Sequence, residues 1–230
     1  MKLAIEMGQI QPDTLKHTVE WVQFAERLGV SMAFSAEAWW SDAVTPLAFL
    51  ADKTHSIKLA TGIMQTTART PAMTAMSALT LHDLTGGRFI LGLGASGPQV
   101  VEGLHSVPYH PPLARLQETV DICRLIFAGE KVQYRGKVFQ MPLPDSEGKP
   151  IKINHEPVEI PIYLATLGPN ALRYTGSNAD GWLGTSFSPD HPEAHLNFLR
   201  EGASGSGREL HDLDLCVSVR VELGDDLAAM

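Results

Sequence analysis

The sequence predicts an α/β fold built on a parallel sheet, which is either doubly wound or closed into a barrel. Short apolar segments typical of buried strands alternate with longer segments whose apolar residues recur at helical spacing, and 230 residues hold seven such units. Strict alternation is typical of parallel sheets, because each helix returns the chain to the same edge. A closed (β/α)8 barrel needs one more strand and about 250 residues. We therefore expect a TIM barrel whose C-terminal strand-and-helix unit is absent from this chain.

The first two units follow directly from apolar spacing. A short buried strand, KLAIEM at 2–7, leads to a helix that ends at Gly29. The helix is predicted because apolar residues recur at helical spacing: Leu15, Val19, Val22, Ala25 and Leu28. The second unit combines the strand MAFSAE at 32–37 with the helix VTPLAFLADKT at 44–54.

The third unit has a well-defined helix start. After the strand IKLATGI at 57–63, Thr70 is suited to cap a helix and Pro71 occupies the first helical position. The helix continues through AMTAMSALTLHDL and stops at the glycines 86–87. The fourth strand is RFILGL at 88–93.

The second half of the chain interrupts the alternation and then resumes it. A proline-rich connection leads to a helix over about 113–128, after which 131–159 is predicted to lie outside the barrel repeat as an insertion. There KVQYRGKVFQM is typical of a hairpin around Arg135-Gly136 and PLPDSEGKP of a loop. The remaining elements are strand 160–166, helix 169–178, strand 180–185, helix 189–202 and strand 213–223. We interpret 1–230 as a single barrel domain, truncated at its C-terminus.

Composition excludes several classes of partner. The net charge is −8 without a block of lysines or arginines, which argues against nucleic acid or an anionic membrane. No apolar run is long enough to span a bilayer, and the N-terminus lacks the features of a signal peptide. The two cysteines, Cys123 and Cys216, are far apart, as expected of reduced thiols in a cytoplasmic protein.

The stretch LGLGASGPQVVEG at 91–103 has the spacing Gly92-x-Gly94-x-x-Gly97 of a dinucleotide-binding fingerprint. That motif holds a pyrophosphate only where a strand precedes it and a long helix opens directly after it. A glycine and three prolines leave no room for three helical turns: Gly103, Pro108, Pro111 and Pro112. We therefore do not expect a Rossmann-type site here.

Two longer segments carry a more specific pattern. ARTPAMTAMSALTLHDLTGGRFILGLGASGPQVVEGLH and IPIYLATLGPNALRYTGSNADGWL resemble the luciferase-like monooxygenase superfamily. The resemblance is greatest to its deazaflavin (coenzyme F420)-dependent oxidoreductases, the relatives of methylenetetrahydromethanopterin reductase. It implies a TIM barrel of the bacterial-luciferase type, a bound flavin or deazaflavin, redox chemistry and a homodimer formed through helices on one side of the barrel.

The resemblance also implies which residues bind the cofactor. A bulge at the end of the third strand, with a cis peptide between Gly62 and Ile63, would back the ring, and the glycine-rich end of the fourth strand would let the ring approach the backbone. A loop opening onto a helix N-terminus would bind a phosphate. The alternatives are a plain trans peptide at the end of the third strand, a plain tight turn at the fourth strand and an ordinary strand-to-helix turn at the loop. The implied residues are Gly62, Ile63, Met64, Gly94, Ala95, Ser96, Gly97, Leu167, Gly168, Pro169 and Asn170.

Candidate acids and aromatic residues follow the second strand in AEAWWSDA. A carboxylate at the mouth of a barrel is well placed for acid or base chemistry, and Glu37 is the candidate catalytic residue, with a structural hydrogen bond as its alternative. Asp42 is expected to start a helix. Trp39 and Trp40 are interpreted as walls of a substrate pocket, or as packing of the loop.

Other polar residues offer weaker candidates. In the sugar-phosphate dehydrogenase branch a glutamate after the glycine strand donates a proton, but Pro98 occupies that place here and Glu102 is only a neighbour in sequence. Two arginines, Arg69 and Arg115, are candidate anion partners or members of structural ion pairs. The pattern HPEAH at 191–195 is not HExxH, so we expect His191 and His195 on a solvent-facing helix. No metal site is predicted.

The leading functional interpretation is an oxidoreductase that uses coenzyme F420 for hydride transfer to or from a small organic substrate. Two alternatives remain at this point. One is an FMN-dependent monooxygenase acting with molecular oxygen, and the other is a non-catalytic flavin-binding relative or inactive fragment.

Overall fold

The computed structural model describes residues 2–8, 14–219 and 221, and the predicted alternation of strands and helices is confirmed there. The chain divides into two compact units, Met1–Ala165 and Thr166–Met230. None of the helices in the described ranges is long and apolar enough to cross a bilayer.

The first unit is a parallel α/β structure. Its strands are β1 (Ala4–Glu6), β2 (Met32–Ser35), β3 (Lys58–Thr61), β4 (Met64–Gln65), β5 (Phe89–Gly94), β6 (Tyr134–Arg135), β7 (Gln140–Met141) and β8 (Ile162–Ala165). Its helices are α1 (Leu15–Arg27), α2 (Val44–Ala51), α3 (Pro71–Leu84), α4 (Pro98–Val101) and α5 (Pro112–Phe127). The parallel sheet follows the order β1-β2-β3-β5-β8, and β4 pairs with β5 beyond the end of β3. All of β5 is buried, so the core of this unit surrounds it.

The predicted start of α3 is confirmed. The Thr70 hydroxyl oxygen accepts a hydrogen bond from the Met73 N–H at 3.3 Å, and Pro71 is the first helical residue. Gly86 and Gly87 follow the helix with φ angles of +63° and +84°, a region that glycine enters without a steric penalty.

Some strand ends differ from the prediction. Strand β2 ends at Ser35 and β3 at Thr61, two residues earlier than predicted, because the backbone there leaves the regular ladder. The two-residue strand β4 was not predicted, since a pair of residues gives no periodic signal.

The hairpin within 131–159 is confirmed, but its turn lies later than predicted. Strands β6 and β7 pair antiparallel, and the Gly136 N–H donates to the Phe139 carbonyl at 2.8 Å, so the turn spans 136–139 rather than Arg135-Gly136. The reason is Glu118 on α5, whose buried carboxylate accepts the N–H groups of Lys137, Val138 and Phe139 at distances of 2.6–3.1 Å. This carboxylate holds the turn against α5.

The second unit pairs two helices beside two parallel strands. Its elements are α6 (Pro169–Asn178), β9 (Gly181–Gly184), α7 (Glu193–Gly205), a short 3-10 helix (Leu210–Asp212) and β10 (Asp214–Val217). Helix α7 begins at Glu193 rather than at 189, because Pro192 is its N-cap. The strand predicted at 213–223 ends at Val217, since β9 offers only four partners; positions 220, 222 and 223 lie outside the described residues.

Candidate functional site

Parallel strands bring their carboxyl ends to one edge of the sheet, and the predicted site residues of the first unit meet there. The Gly62 N–H donates to the Ser35 carbonyl at 2.7 Å, which places the residue after β3 beside the end of β2. Gln65 is in register with Gly94, the last residue of β5. The edge therefore combines the ends of β2, β3 and β5 with all of β4.

The bulge after β3 has the predicted backbone. The peptide bond between Gly62 and Ile63 is cis, as predicted. A Cβ on Gly62 would lie 2.9 Å from the Phe34 ring, so the close approach of β2 requires glycine. Met64, predicted to contact the cofactor, is fully buried and forms part of the core.

The glycine-rich end of β5 serves a purpose that the sequence did not indicate. A Cβ on Gly94 would lie 2.6 Å from Cδ1 of Ile63, so the absent side chain makes room for the bulge itself. Beyond it Ala95, Ser96 and Gly97 are half-buried, with Ser96 at a φ of +58°. The helix that follows, α4, has four residues, which confirms that no long helix opens after the glycines.

Glu37 lies beneath this edge in a fully hydrogen-bonded environment. One carboxylate oxygen, Oε1, accepts the Gln65 N–H at 2.7 Å and an Arg69 N–H at 2.7 Å. The other, Oε2, accepts the Ala43 N–H at 3.2 Å and the same Arg69 nitrogen at 2.9 Å. These contacts favour the structural alternative for Glu37 and assign Arg69 to an internal ion pair.

The neighbouring acids are helix and loop caps. Asp42 accepts the N–H groups of Val44 and Thr45 at 2.8 and 2.7 Å, so its predicted place at a helix start is confirmed. Burial would raise the pKa of Asp42, but these hydrogen bonds and the charge of Arg69 lower it. Glu102 is exposed and accepts the Tyr109 N–H at 3.1 Å, within its own loop.

The two tryptophans after β2 are exposed. Trp39 is 70% and Trp40 41% accessible, and their rings meet edge to face with centroids 5.3 Å apart. Their role as a substrate wall remains a prediction.

Sequence reasoning missed a set of buried polar atoms next to the bulge. Gln65 Oε1 and Thr66 Oγ1 have no hydrogen-bond partner within the described part of the chain, although both residues are 1% exposed. The Thr66 N–H donates to the Gly94 carbonyl at 3.0 Å, so both residues lie along the end of β5. Buried polar groups are normally satisfied, and such exceptions call for a partner. A Gln-Thr pair soon after a glycine-containing strand end is the signal that a sequence search would use.

Arg115 makes no ion pair with a carboxylate within the described ranges. Its guanidinium lies over the Phe139 ring, 5.6 Å from the centroid, and its Nε is buried without a partner. Glu118, one turn further along α5, is engaged by the hairpin turn instead. The role of Arg115 as an anion partner stays a prediction.

An open cavity of about 550 Å³ lies at the opposite edge, at the amino ends of β3 and β5. Arg88 lines it and donates to the carbonyls of Ala51, Thr54 and Ile57 at 2.7–3.1 Å. Burial lowers the pKa of Arg88. Because these carbonyls occupy the guanidinium, we assign this edge a structural role.

In the second unit, Leu167, Gly168, Pro169 and Asn170 form the exposed start of α6, with Gly168 as N-cap. A Cβ on Gly168 would have no neighbour within 4 Å, so a ligand can approach its backbone.

The two histidines of the HPEAH pattern differ in burial. His191 is exposed, but His195 is half-buried with its ring 5.3 Å from that of the buried Trp182, so the predicted surface position of His195 is wrong. The cause is Trp182 on β9, which only the tertiary structure brings against α7. Over the ranges 2–8, 14–219 and 221, no three His, Cys, Asp or Glu side chains are grouped as metal ligands would be.

Several known proteins are similar to this chain. One relative, named "Putative coenzyme F420-dependent oxidoreductase" in Mycobacterium tuberculosis, is 40% identical over all of this chain and 69% of its own length. The 5,10-methylenetetrahydromethanopterin reductase of Archaeoglobus fulgidus is 29% identical over 99% of this chain and 67% of its own. The chain thus spans about two thirds of the length of these relatives.

Solved structures show the same fold. The coenzyme F420-dependent tetrahydromethanopterin reductase of Methanopyrus kandleri matches with a TM-score of 0.80 at 24% identity, over 94% of this chain and 65% of that one. A monooxygenase from Streptomyces bottropensis matches with a TM-score of 0.85 at 20% identity, over 100% of this chain and 74% of that one. The predicted fold class, α/β of the luciferase-like TIM-barrel type, is confirmed. The family model described as luciferase-like monooxygenase matches residues 3–230, and the chain belongs to that family.

Proposed function

We propose that this protein is an oxidoreductase that uses deazaflavin coenzyme F420 for hydride transfer to or from a small organic substrate. The observation that supports this most is the bulge at Gly62 and Ile63, packed against Gly94 at the carboxyl edge of the sheet. Active sites of barrel enzymes are built at this edge. The relative that is 40% identical has coenzyme F420 in its name. When bound, the deazaflavin supplies the carbon, C5, that accepts or gives the hydride.

The residues at this edge fit a flat ring with a polar margin. Ala95, Ser96 and Gly97 present no side chain larger than a hydroxymethyl group, so a planar ring can lie against their backbone. The unpartnered Gln65 Oε1 and Thr66 Oγ1 lie next to this surface but are inaccessible to solvent, so the polar edge of a ring would reach them only after neighbouring side chains moved. A ligand that satisfied them would remove the cost of leaving buried polar atoms unpaired.

Two further groups are proposed to contact ligands. Trp39 and Trp40 would form an apolar wall for the organic substrate, which their large exposed rings can cover and shield from water. The first N–H groups of α6, at the loop from Leu167 to Asn170, would bind a phosphate, since they have no partner within the helix.

The proposal is tested by titrating the purified protein with F420 and, separately, with FMN, and by following the absorbance and fluorescence of each cofactor. We expect saturable binding of F420 and weaker binding of FMN. Ala95→Leu should weaken F420 binding about tenfold or more, because a larger side chain fills the surface on which the ring would lie. Ala128→Leu, at the exposed end of α5, is the matched control and should bind as the wild type does.

Tight binding of FMN without any response to F420 would overturn the deazaflavin assignment and favour an FMN-dependent monooxygenase. Binding of neither would favour a non-catalytic relative. If Ala95→Leu and Ala128→Leu bound F420 equally well, the cofactor would have to lie elsewhere.

We also propose a cytoplasmic homodimer. The cytoplasmic location is supported by the buried thiol of Cys123, which forms no disulfide within the described residues. The homodimer is supported by the exposed apolar residues Met73 and Met76 on α3. Sedimentation at micromolar concentration should show a dimer, and a purely monomeric protein would contradict this.

A further inference from the structure

The carboxylate of Glu37 has no lone pair left with which to bind a ligand or accept a proton. A carboxylate offers about four lone-pair positions. In Glu37 each oxygen already accepts two hydrogen bonds, from Gln65 and Arg69 at Oε1 and from Ala43 and Arg69 at Oε2. Its side chain is 7% exposed and that of Arg69 18%. The pair therefore lies inside the structure, with every strong contact directed at the protein.

Glu37 contacts the bulge on both of its sides. Its backbone N–H donates to the Ile63 carbonyl at 3.3 Å, and its carboxylate accepts the N–H of Gln65, two residues later. Its own carbonyl accepts the Gln65 side-chain amide at 3.2 Å. Glu37 thus makes three hydrogen bonds to the short segment that contains both the cis peptide and the unpartnered Gln65 oxygen.

Arg69 holds the carboxylate in the orientation that these contacts need. One of its nitrogens, Nη1, donates to both Glu37 oxygens, at 2.7 and 2.9 Å. Charge-assisted hydrogen bonds of this length are stronger than neutral ones, and a partly buried pair is screened less by water than a surface pair. Without Arg69 the carboxylate would be buried with only backbone donors, which is unfavourable.

We infer that Glu37 and Arg69 are a positioning pair, which shapes the bulge for the cofactor before the cofactor binds, and that Glu37 acts through Gln65 and Ile63 rather than by exchanging a proton with the substrate. This inference rests on the proposed function, because it assigns the bulge to the F420 site. It explains why a carboxylate at the mouth of the barrel is tied to an arginine and two backbone N–H groups rather than left free for acid or base chemistry.

The test compares Arg69→Met, Arg69→Lys and Glu37→Gln with the wild type by the dissociation constant for F420, corrected for the folded fraction. We expect Arg69→Met and Glu37→Gln to weaken F420 binding by roughly ten- to a hundredfold, the scale known for outer-shell partners of metal ligands. Arg69→Lys keeps the charge and one hydrogen bond, so it should restore part of the lost affinity.

The matched control is Lys16→Met on α1. Lys16 and Glu20 form an ion pair at 3.8 Å, but their side chains are 84% and 61% exposed. Exposed pairs contribute little, so Lys16→Met should leave F420 affinity unchanged. Hydrogen exchange on the cofactor-free wild type gives a second measurement, which needs no variant: the Gln65 amide should exchange slowly because Glu37 already binds it.

The outcomes separate this inference from the proposed function. If the wild type binds F420 and a folded Arg69→Met or Glu37→Gln variant binds it with the same affinity, the positioning role alone is overturned. Rapid exchange of the Gln65 amide would do the same, even if the variants failed to fold. Absence of F420 binding to the wild type would overturn the proposed function and this inference with it.

Discussion

Glu26 on α1 should stabilise the fold in a way that acid removes. Its Oε1 accepts the backbone N–H groups of His55, Ser56 and Ile57 at 2.8, 2.6 and 2.9 Å, and the Ser56 hydroxyl at 3.1 Å. Burial would raise the pKa of Glu26, but these hydrogen bonds outweigh it and lower the pKa from 4.5 to about 2. The carboxylate thereby ties α1 to the segment that leads into β3.

The size and direction of the effect follow from linkage. A carboxylate whose pKa is lower in the folded than in the unfolded state stabilises the fold above its unfolded pKa of 4.5, and the contribution is lost as pH falls toward about 2. One pKa unit corresponds to about 1.4 kcal/mol, so the whole shift would be about 3 kcal/mol. Solvent screening of a partly exposed group reduces this to about 2 kcal/mol.

The perturbation is Glu26→Gln, which keeps an acceptor at Oε1 but removes the charge. Urea unfolding followed by circular dichroism should show that Glu26→Gln lowers the free energy of unfolding by about 2 kcal/mol near pH 7. On acidification to about pH 3, the free energy of unfolding should fall less in the variant than in the wild type. Glu20→Gln on the same helix is the control, since Glu20 makes an exposed pair with Lys16 at 3.8 Å. Equal acid dependence in the wild type and Glu26→Gln would refute the reasoning.

Two further predictions concern other parts of the chain. Gly202→Ala should lower the free energy of unfolding by about 2–4 kcal/mol, because a Cβ would overlap the Arg173 carbonyl where α7 packs on α6. The control is Gly205→Ala, which should change the free energy of unfolding by less than about 0.5 kcal/mol, because its Cβ would have no neighbour within 4 Å. Thermal unfolding compares the two, and equal effects would disprove the close helix contact. The pKa of His155 is raised by a hydrogen bond to the Glu156 carbonyl and by a second one, at 3.1 Å, to Asp83. The protonated imidazole therefore stabilises the fold below pH 6.5, and this stabilisation is lost as pH rises through the raised pKa. Asp83→Asn should weaken this dependence of stability on pH, which can be measured as the resistance of the 131–159 segment to proteolysis between about pH 6 and pH 8. The same pH profile in the variant and the wild type would contradict the prediction.

Local signals predicted most of the fold. Apolar periodicity located most strands and helices of both units but not β4, Thr70 and Pro71 marked the start of α3, and the prolines after Gly97 excluded a long helix there. Each of these signals acts within a few residues, because capping, turn chemistry and helical spacing are properties of neighbouring positions. The cis peptide at Gly62 came from family resemblance, since no local pattern indicates one.

What the sequence by itself determined is the order and type of the elements, the parallel α/β class and the family; what only the tertiary structure decided is which polar groups meet. Glu37 and Arg69 are 32 positions apart, and the carboxylate that was a candidate acid proves to be engaged from every side once β2, β4 and the start of α3 are placed together. In the same way Gly94 makes room for Ile63 rather than directly for a ligand. The physical reason is that strand register and packing set these partners, and register depends on the whole sheet rather than on any one segment.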